Sequence, residues 1–270
     1  MERTSSDVCF DRLVEQATGV SSMSEDAITR MLSEGYLNEA MLLGASEADL
    51  AAAFLQKPAL HMIVLGDSLS LPRPYIYENY TAANPFLATR FHQTYPVLLV
   101  DRLEITSGKI VRLTNGCRRG LLWDEYALGA GRGVVEMLTS YEADYFISLW
   151  GYSELWRFKE SDDGLEACLQ IARRYSDLIE TVAQRMPFLK IAVIALPMPG
   201  RELADRYPRM SGHIRAFNQH LRDHKAASVA FVEVKLSENL LHTDQQHFST
   251  AGHIQVANAI EDALSATSTV

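Results

Sequence analysis

The stretch HMIVLGDSLS, residues 61–70, decides how the chain is read. Met62 to Leu65 is an unbroken apolar run, the pattern of a strand buried on both faces rather than one. Gly66 then permits a tight turn, and Ser68 falls just past the strand end, where a hydroxyl stands above the edge of a sheet. Outward from here the same rhythm recurs at Lys109–Leu113 (KIVRL), Tyr145–Leu149 (YFISL), Lys190–Ala195 (KIAVIA) and Val229–Val234 (VAFVEV). Amphipathic stretches between these runs predict helices around 86–104, 124–141, 164–186 and 202–225, and a last helix over 250–266. Five successive strand-then-helix units predict an α/β fold, a parallel sheet covered on both faces, with right-handed crossovers. In such a sheet functional groups collect at the carboxyl ends of the strands.

The first 58 residues read differently. They contain no strand-like apolar run, and SSMSEDAITRMLSEGY, LNEAMLLG and ASEADLAAAFLQ carry helical patterns. Ser24 before Glu25 and Asp26, and Ser46 before Asp49, suit helix starts, where acidic groups meet the positive end of the helix dipole. Gly35 and Gly44 read as stops. The chain therefore divides into an N-terminal helical segment, 1–58, and an α/β domain, 59–270. Met41, Leu42, Leu43, Leu50 and Phe54 need cover. Packing on the main domain is the expectation, with a homodimer through these helices as the alternative.

Composition narrows the function classes. Of 270 residues 47% are hydrophobic and 22% charged, which is globular. The net charge of −9, without a basic run, argues against a nucleic-acid partner. Cys9, Cys117 and Cys168 are widely spaced and odd in number, so neither a disulfide framework nor a Cys-x-x-Cys metal motif is read. The start, MERTSSDVCF, lacks the pattern of a signal peptide, and no apolar run reaches the ~18 residues of a membrane span. A cytoplasmic protein with no membrane partner, cofactor or metal is expected.

The chemistry lies at two ends of the α/β domain. Before the last helix stands His242-Thr243-Asp244-Gln245-Gln246-His247-Phe248-Ser249, in which Asp244 and His247 share one loop as D-x-x-H. A serine hydroxyl is a weak nucleophile until a base takes its proton, and the base needs a carboxylate to fix its tautomer. Ser68, His247 and Asp244 supply all three types. His253 begins a helix with apolar Ile254, Ala257, Ile260 and Leu264 and reads as packing. His242 is a weaker rival base. His220 and His224 have i,i+4 spacing without an H-E-x-x-H pattern and read as a solvated helix face.

VLGDSLS and DQQHFSTAGH, in this order with a βα alternation between them, resemble the SGNH/GDSL hydrolases over about 61–270. The resemblance implies a three-layer α/β/α sandwich of flavodoxin-like form and acyl transfer from esters to water or another acceptor. It implies Ser68 as nucleophile, His247 as base and Asp244 as its orienting partner. It also implies an oxyanion hole built from the N–H of Ser68, the N–H of a glycine after the second strand and an asparagine after the third. Gly116 is the glycine chosen, with Cys117 able to occupy the same place. After the third strand the chain departs from the pattern: Gly151-Tyr152-Ser153-Glu154 carries Ser153 where the family has asparagine. Ser153 itself, Asn115 from the second loop, or backbone alone are the alternatives for the missing donor.

Near the expected mouth, Arg73 and Arg118 suit an anionic group, and Tyr75 and Tyr152 suit stacking on a sugar or lining an acyl slot. GDSLSLPR also resembles a subgroup associated with bacterial polysaccharide and surface-glycan clusters. These readings lead to a serine-dependent esterase or deacetylase on a small-molecule or glycan O-acyl ester. An O-acetyltransferase with the same residues, or a catalytically impaired scaffold, are the alternatives.

Overall fold

The computed structural model describes residues 59–72, 89–120, 122, 132–242 and 244–267. The expected N-terminal helical segment lies outside them, as do Arg73 and Tyr75. The strands are β1 (Ala59–Gly66), β2 (Ile110–Asn115), β3 (Tyr145–Leu149), β4 (Lys190–Ile194) and β5 (Val229–Val232). The helices are α1 (Tyr95–Ser107), α2 (Arg132–Ser140), α3 (Tyr152–Arg157), α4 (Gly164–Arg185), α5 (Arg201–Arg206), α6 (Pro208–His224) and α7 (Thr250–Thr267).

The five strands form one parallel sheet in the order β2-β1-β3-β4-β5. All five strand expectations hold, β3 to the residue and the others with ends shifted by at most two residues. All five residues of β3 are buried, as its unbroken apolar character requires. The hydroxyl of its Ser148 accepts from Tyr175 Oη at 2.5 Å. Helices α1 and α7 pack together, on β2 and on β4 and β5 respectively, while α4 and α6 pair as a separate layer. The result is an α/β/α sandwich. Strand order reverses direction about β1, so the crevice at the carboxyl ends of β1 and β3 is the topological switch point, where ligands of such folds bind.

Three helix expectations are corrected. The 86–104 helix starts only at Tyr95, with Pro96 in its first turn, because proline lacks the N–H that a helix interior uses. A one-turn 3-10 segment, Phe91–Gln93, precedes it. The 202–225 helix is two, broken at Tyr207, since the residue before Pro208 is driven out of helical geometry. The six-residue α3 was not anticipated; it is too short to show a period. Of the 124–141 helix, the described part runs over Arg132–Ser140. Among the described residues no helix is long and apolar enough to cross a membrane.

Candidate active site

The first element of the site is the turn that ends β1. A side chain at Gly66 would place its Cβ 2.4 Å from the Leu149 carbonyl of β3, so only glycine lets the two strand ends approach this closely. Asp67 N–H donates to that same carbonyl (3.3 Å). Asp67 is fully buried, and its carboxylate caps the short 3-10 turn Ser68–Ser70 by accepting the Leu69 N–H at 3.1 Å. The turn leaves Ser68 partly exposed at the crevice.

The second element is the loop between β5 and α7. It is closed like a hairpin: Leu241 and Phe248 form an antiparallel bridge, and His242 N–H donates to the His247 carbonyl at 2.6 Å. Asp244 Oδ1 accepts the N–H groups of Gln246 (3.2 Å) and His247 (3.0 Å), an Asx turn that fixes the three-residue spacing. Gln245 sits at φ 63° and its carbonyl accepts the Gly200 N–H (2.7 Å), tying the loop to the segment after β4. The β4 side is itself held by Asn218 of α6, which exchanges two 2.9 Å bonds with the Leu196 backbone.

These two elements meet. His247 Nδ1 lies 2.8 Å from Asp244 Oδ2, and His247 Nε2 lies 2.9 Å from Ser68 Oγ, across 179 positions of sequence. The tautomer with its proton on Nδ1 satisfies both contacts, leaving Nε2 to accept from the serine hydroxyl. The His247 side chain is 8% exposed and that of Asp244 21%, so the pair is shielded while Ser68 stays reachable.

His253, read as packing, is buried, and its Nδ1 accepts the Tyr95 N–H at the start of α1 (3.1 Å). Burial, with the nearby His247 charge adding, lowers its pKa to about 3, so it remains a neutral acceptor. His242 is buried, its N–H engaged as above. His220 and His224 stack on one another at 4.0 Å on the partly exposed face of α6. Among the described residues no three His, Cys, Asp or Glu side chains gather as metal ligands do.

The expected oxyanion donors are the point of correction. Gly116 N–H is given to the Val64 carbonyl at 2.8 Å, continuing the β1–β2 ladder. Cys117 N–H goes to Asn115 Oδ1 (3.0 Å) and Arg118 N–H to the Gly66 carbonyl (3.1 Å). Ser153 turns inward: its N–H donates to Asp67 Oδ2 at 3.1 Å and its hydroxyl to the same oxygen at 3.4 Å. The cause is electrostatic. A buried carboxylate demands donors, and the first residues after β3 are the nearest supply. Burial still raises the Asp67 pKa; hydrogen bonds from Leu69 and Ser153, and the charge of His247, oppose that rise. Two donors keep no partner: Asn115 Nδ2 is buried and unbonded, and Ser68 N–H makes no hydrogen bond among the described residues.

Of the substrate candidates, Arg118 is exposed on the loop after β2. Tyr152 does not offer its ring to the mouth. It is 5% exposed within the core, because Gly151 at φ 119° turns the chain back into α3, and its buried phenol has no partner. Burial, with the charges of Asp67 and Asp244, pushes the Tyr152 pKa up. Its neighbour Arg119 bonds through Nη2 to the Pro72 carbonyl at 2.9 Å and so ties the β2 loop to the segment leaving Ser68. The role of Asp67 as a tie between β1 and β3 was missed; its adjacency to Ser68 was the only sequence signal.

No protein-family model matches the sequence, and no curated protein matches it. Solved structures do. Axe2, an acetylxylan esterase from Geobacillus stearothermophilus, superposes with a TM-score of 0.51 at 17% identity, covering 76% of this chain and 94% of that one. The lipase Lip_vut3 from a goat rumen metagenome gives 0.53 at 19% identity, covering 76% and 97%. At such identities the likeness establishes a shared fold, one that these esterases and lipases use.

Proposed function

We propose that the protein is a serine-dependent acyl-ester hydrolase of the SGNH/GDSL kind. The observation that carries this reading is the unbroken line Ser68 Oγ–His247 Nε2–His247 Nδ1–Asp244 Oδ2, at 2.9 and 2.8 Å, on the carboxyl edge of the sheet. Ser68 Oγ attacks the ester carbonyl while its proton passes to Nε2, and Asp244 stabilises the imidazolium so formed. The imidazolium then protonates the leaving alcohol as the C–O bond breaks, leaving an acyl group on Ser68. His247 next takes a proton from water, whose oxygen attacks the acyl-enzyme, and returns it to Ser68 as the acid departs.

Negative charge develops on the carbonyl oxygen beside Ser68 N–H, the first donor of the hole. Asn115 is the side-chain donor in this reading, since Nδ2 has no other bond, and Ser153 is not a donor, since its one proton goes to Asp67. A short O-acyl group on a carbohydrate is the proposed substrate; the Axe2 comparison and the GDSLSLPR resemblance support it.

The test is labelling by a fluorophosphonate followed by peptide mapping, with an acetylated xylo-oligosaccharide as substrate. Labelling confined to Ser68, release of acetate, and loss of both in Ser68→Ala are expected. No labelling of the folded protein overturns the reading in favour of a scaffold. Transfer of the acyl group to an added sugar alcohol in preference to water makes the enzyme an acyltransferase.

A further inference from the structure

The end of the sheet opposite the triad carries two exposed apolar side chains and a cleft that catalysis does not use. Helices α1 and α7 both run from the site toward this end, and a cleft of about 320 Å³ opens between their last turns and the first residues of β3 and β4. The buried Leu103, Leu264 and Tyr145 form its floor and Thr106, Ser107 and Glu261 are on its polar lining, with the Lys190 ammonium 5.4 Å from the Tyr145 ring centre. At the same end Ile105 is 84% exposed and Phe188 96%, the two most exposed of the large apolar side chains described. Ile105 is in the last turn of α1, which leads into β2, and Phe188 lies just before β4. Those strands are three steps apart in the sheet, so the patch is ~14 Å across, two to three turns of a helix.

The chain itself ends its first 58 residues here. Ala59 opens β1 between β2 and β3, and only three residues later Met62 pairs with Tyr145 of the cleft. From Phe54 to Ala59 an extended chain spans up to ~17 Å, enough to cross the patch. The segment is matched in kind. It carries Met41, Leu42, Leu43, Leu50 and Phe54, and its ten acidic against four basic residues give a net charge of −6. The described face carries cations to meet it: Lys109, Arg185 and Lys190, at the starts of β2 and β4 and the end of α4, form no ion pair with any described residue. Of the acidic groups at the same end, Glu104 is engaged with Val111 N–H, Asp144 with His61 N–H and Glu261 with Arg102, while Glu142 stands exposed before β3.

We infer that this face is the docking surface for the chain's own N-terminal segment, with the apolar residues between Met41 and Phe54 seated between Ile105 and Phe188 and over the cleft. The inference is independent of the esterase reading. It is tested in the full-length protein by replacing Phe188 with photoreactive p-benzoylphenylalanine, irradiating, and mapping the joined peptides. A cross-link within one chain to a peptide from residues 38–57 is expected, with a several-fold lower yield when Lys190→Glu is added. The same photoreactive residue in place of Ile254, exposed at the triad end, is expected to capture none of that segment. Cross-linked dimers would give the face to a second copy, and a yield at 188 no higher than at 254 would leave it unoccupied. Either result overturns the inference.

Discussion

Ser153→Ala separates the sequence expectation for the oxyanion hole from what the structure shows. A true oxyanion donor contributes roughly 2.7–4 kcal/mol, or ~10²–10³ in kcat, when removed. The Ser153 hydroxyl has a single proton, and it is directed to Asp67 Oδ2 at 3.4 Å. Asp67 keeps its stronger contacts, the N–H groups of Leu69 and Ser153 at 3.1 Å, when that hydroxyl is deleted. The loss is therefore one long hydrogen bond, worth about 0.5–1.5 kcal/mol of stability. For a domain of this size that lowers Tm by about 1–6 °C. The kcat/KM on a short-chain aryl ester should fall by less than ~10-fold, because no transition-state contact is removed. Steady-state kinetics and a thermal melt on the same preparation check both numbers. A fall of 100-fold or more in kcat at unchanged Tm would mean that the hydroxyl leaves Asp67 for the oxyanion during the reaction, and the argument from its resting bond would be wrong.

Asn115→Ala should show the opposite pattern, a kcat loss approaching ~10², and kinetics equal to wild type would remove Asn115 from the hole. Asp244→Asn keeps the Asx turn but sets an amide N–H against His247 Nδ1, so Nε2 carries the proton and no longer accepts from Ser68. A fall in kcat of ~10⁴ at preserved fold is expected, by analogy with the serine-protease triad, to be read by burst kinetics and circular dichroism. His253→Gln tests the pH dependence of stability. The His253 pKa is about 3 in the fold against 6.5 unfolded, so the unfolded chain binds the extra proton between these values. Its contribution is complete above pH 6.5 and is lost as pH falls toward 3, by about 3 kcal/mol at pH 4. Urea unfolding at pH 4 and 7 should show a shallower pH slope in the glutamine variant, and an unchanged slope would refute the assignment.

The parts of the fold that could be read in the sequence are those set by local pattern. β3 is legible because a strand covered on both faces must be apolar throughout, and YFISL has no other reading at that length. The pairing of Ser68 with Asp244 and His247 was legible for a topological reason: strand-then-helix units deliver every strand end to one edge. The break at Tyr207-Pro208 was present in the sequence and outweighed by the amphipathic pattern on either side. The destinations of individual N–H groups were not legible. Gly116 has the flexibility expected of a hole-forming glycine, yet its N–H is taken by Val64, and the register that decides this is a property of two paired strands. Tyr152 failed in the same way, since a residue at a strand end faces mouth or core according to one backbone turn, here at Gly151.

The serine at position 153 makes physical sense once Asp67 is considered with it. A carboxylate buried beside Ser68 is tolerable only with donors around it, and the structure provides three, one from its own turn and two from Ser153. Residue 153 ties Asp67 to the start of α3, chiefly through its backbone N–H at 3.1 Å and to a lesser degree through its hydroxyl, and so links the ends of β1 and β3 beside Ser68. The imidazole is aligned by other means: the Asx turn of Asp244, the Leu241–Phe248 bridge and the Gly200–Gln245 bond, none of which passes through residue 153. On the proposed mechanism, proton transfer and charge stabilisation thus rest on different loops. In the proposed esterase the Ser68–His247–Asp244 line is therefore independent of residue 153, and stabilisation of the oxyanion is expected from the β1 and β2 side of the crevice.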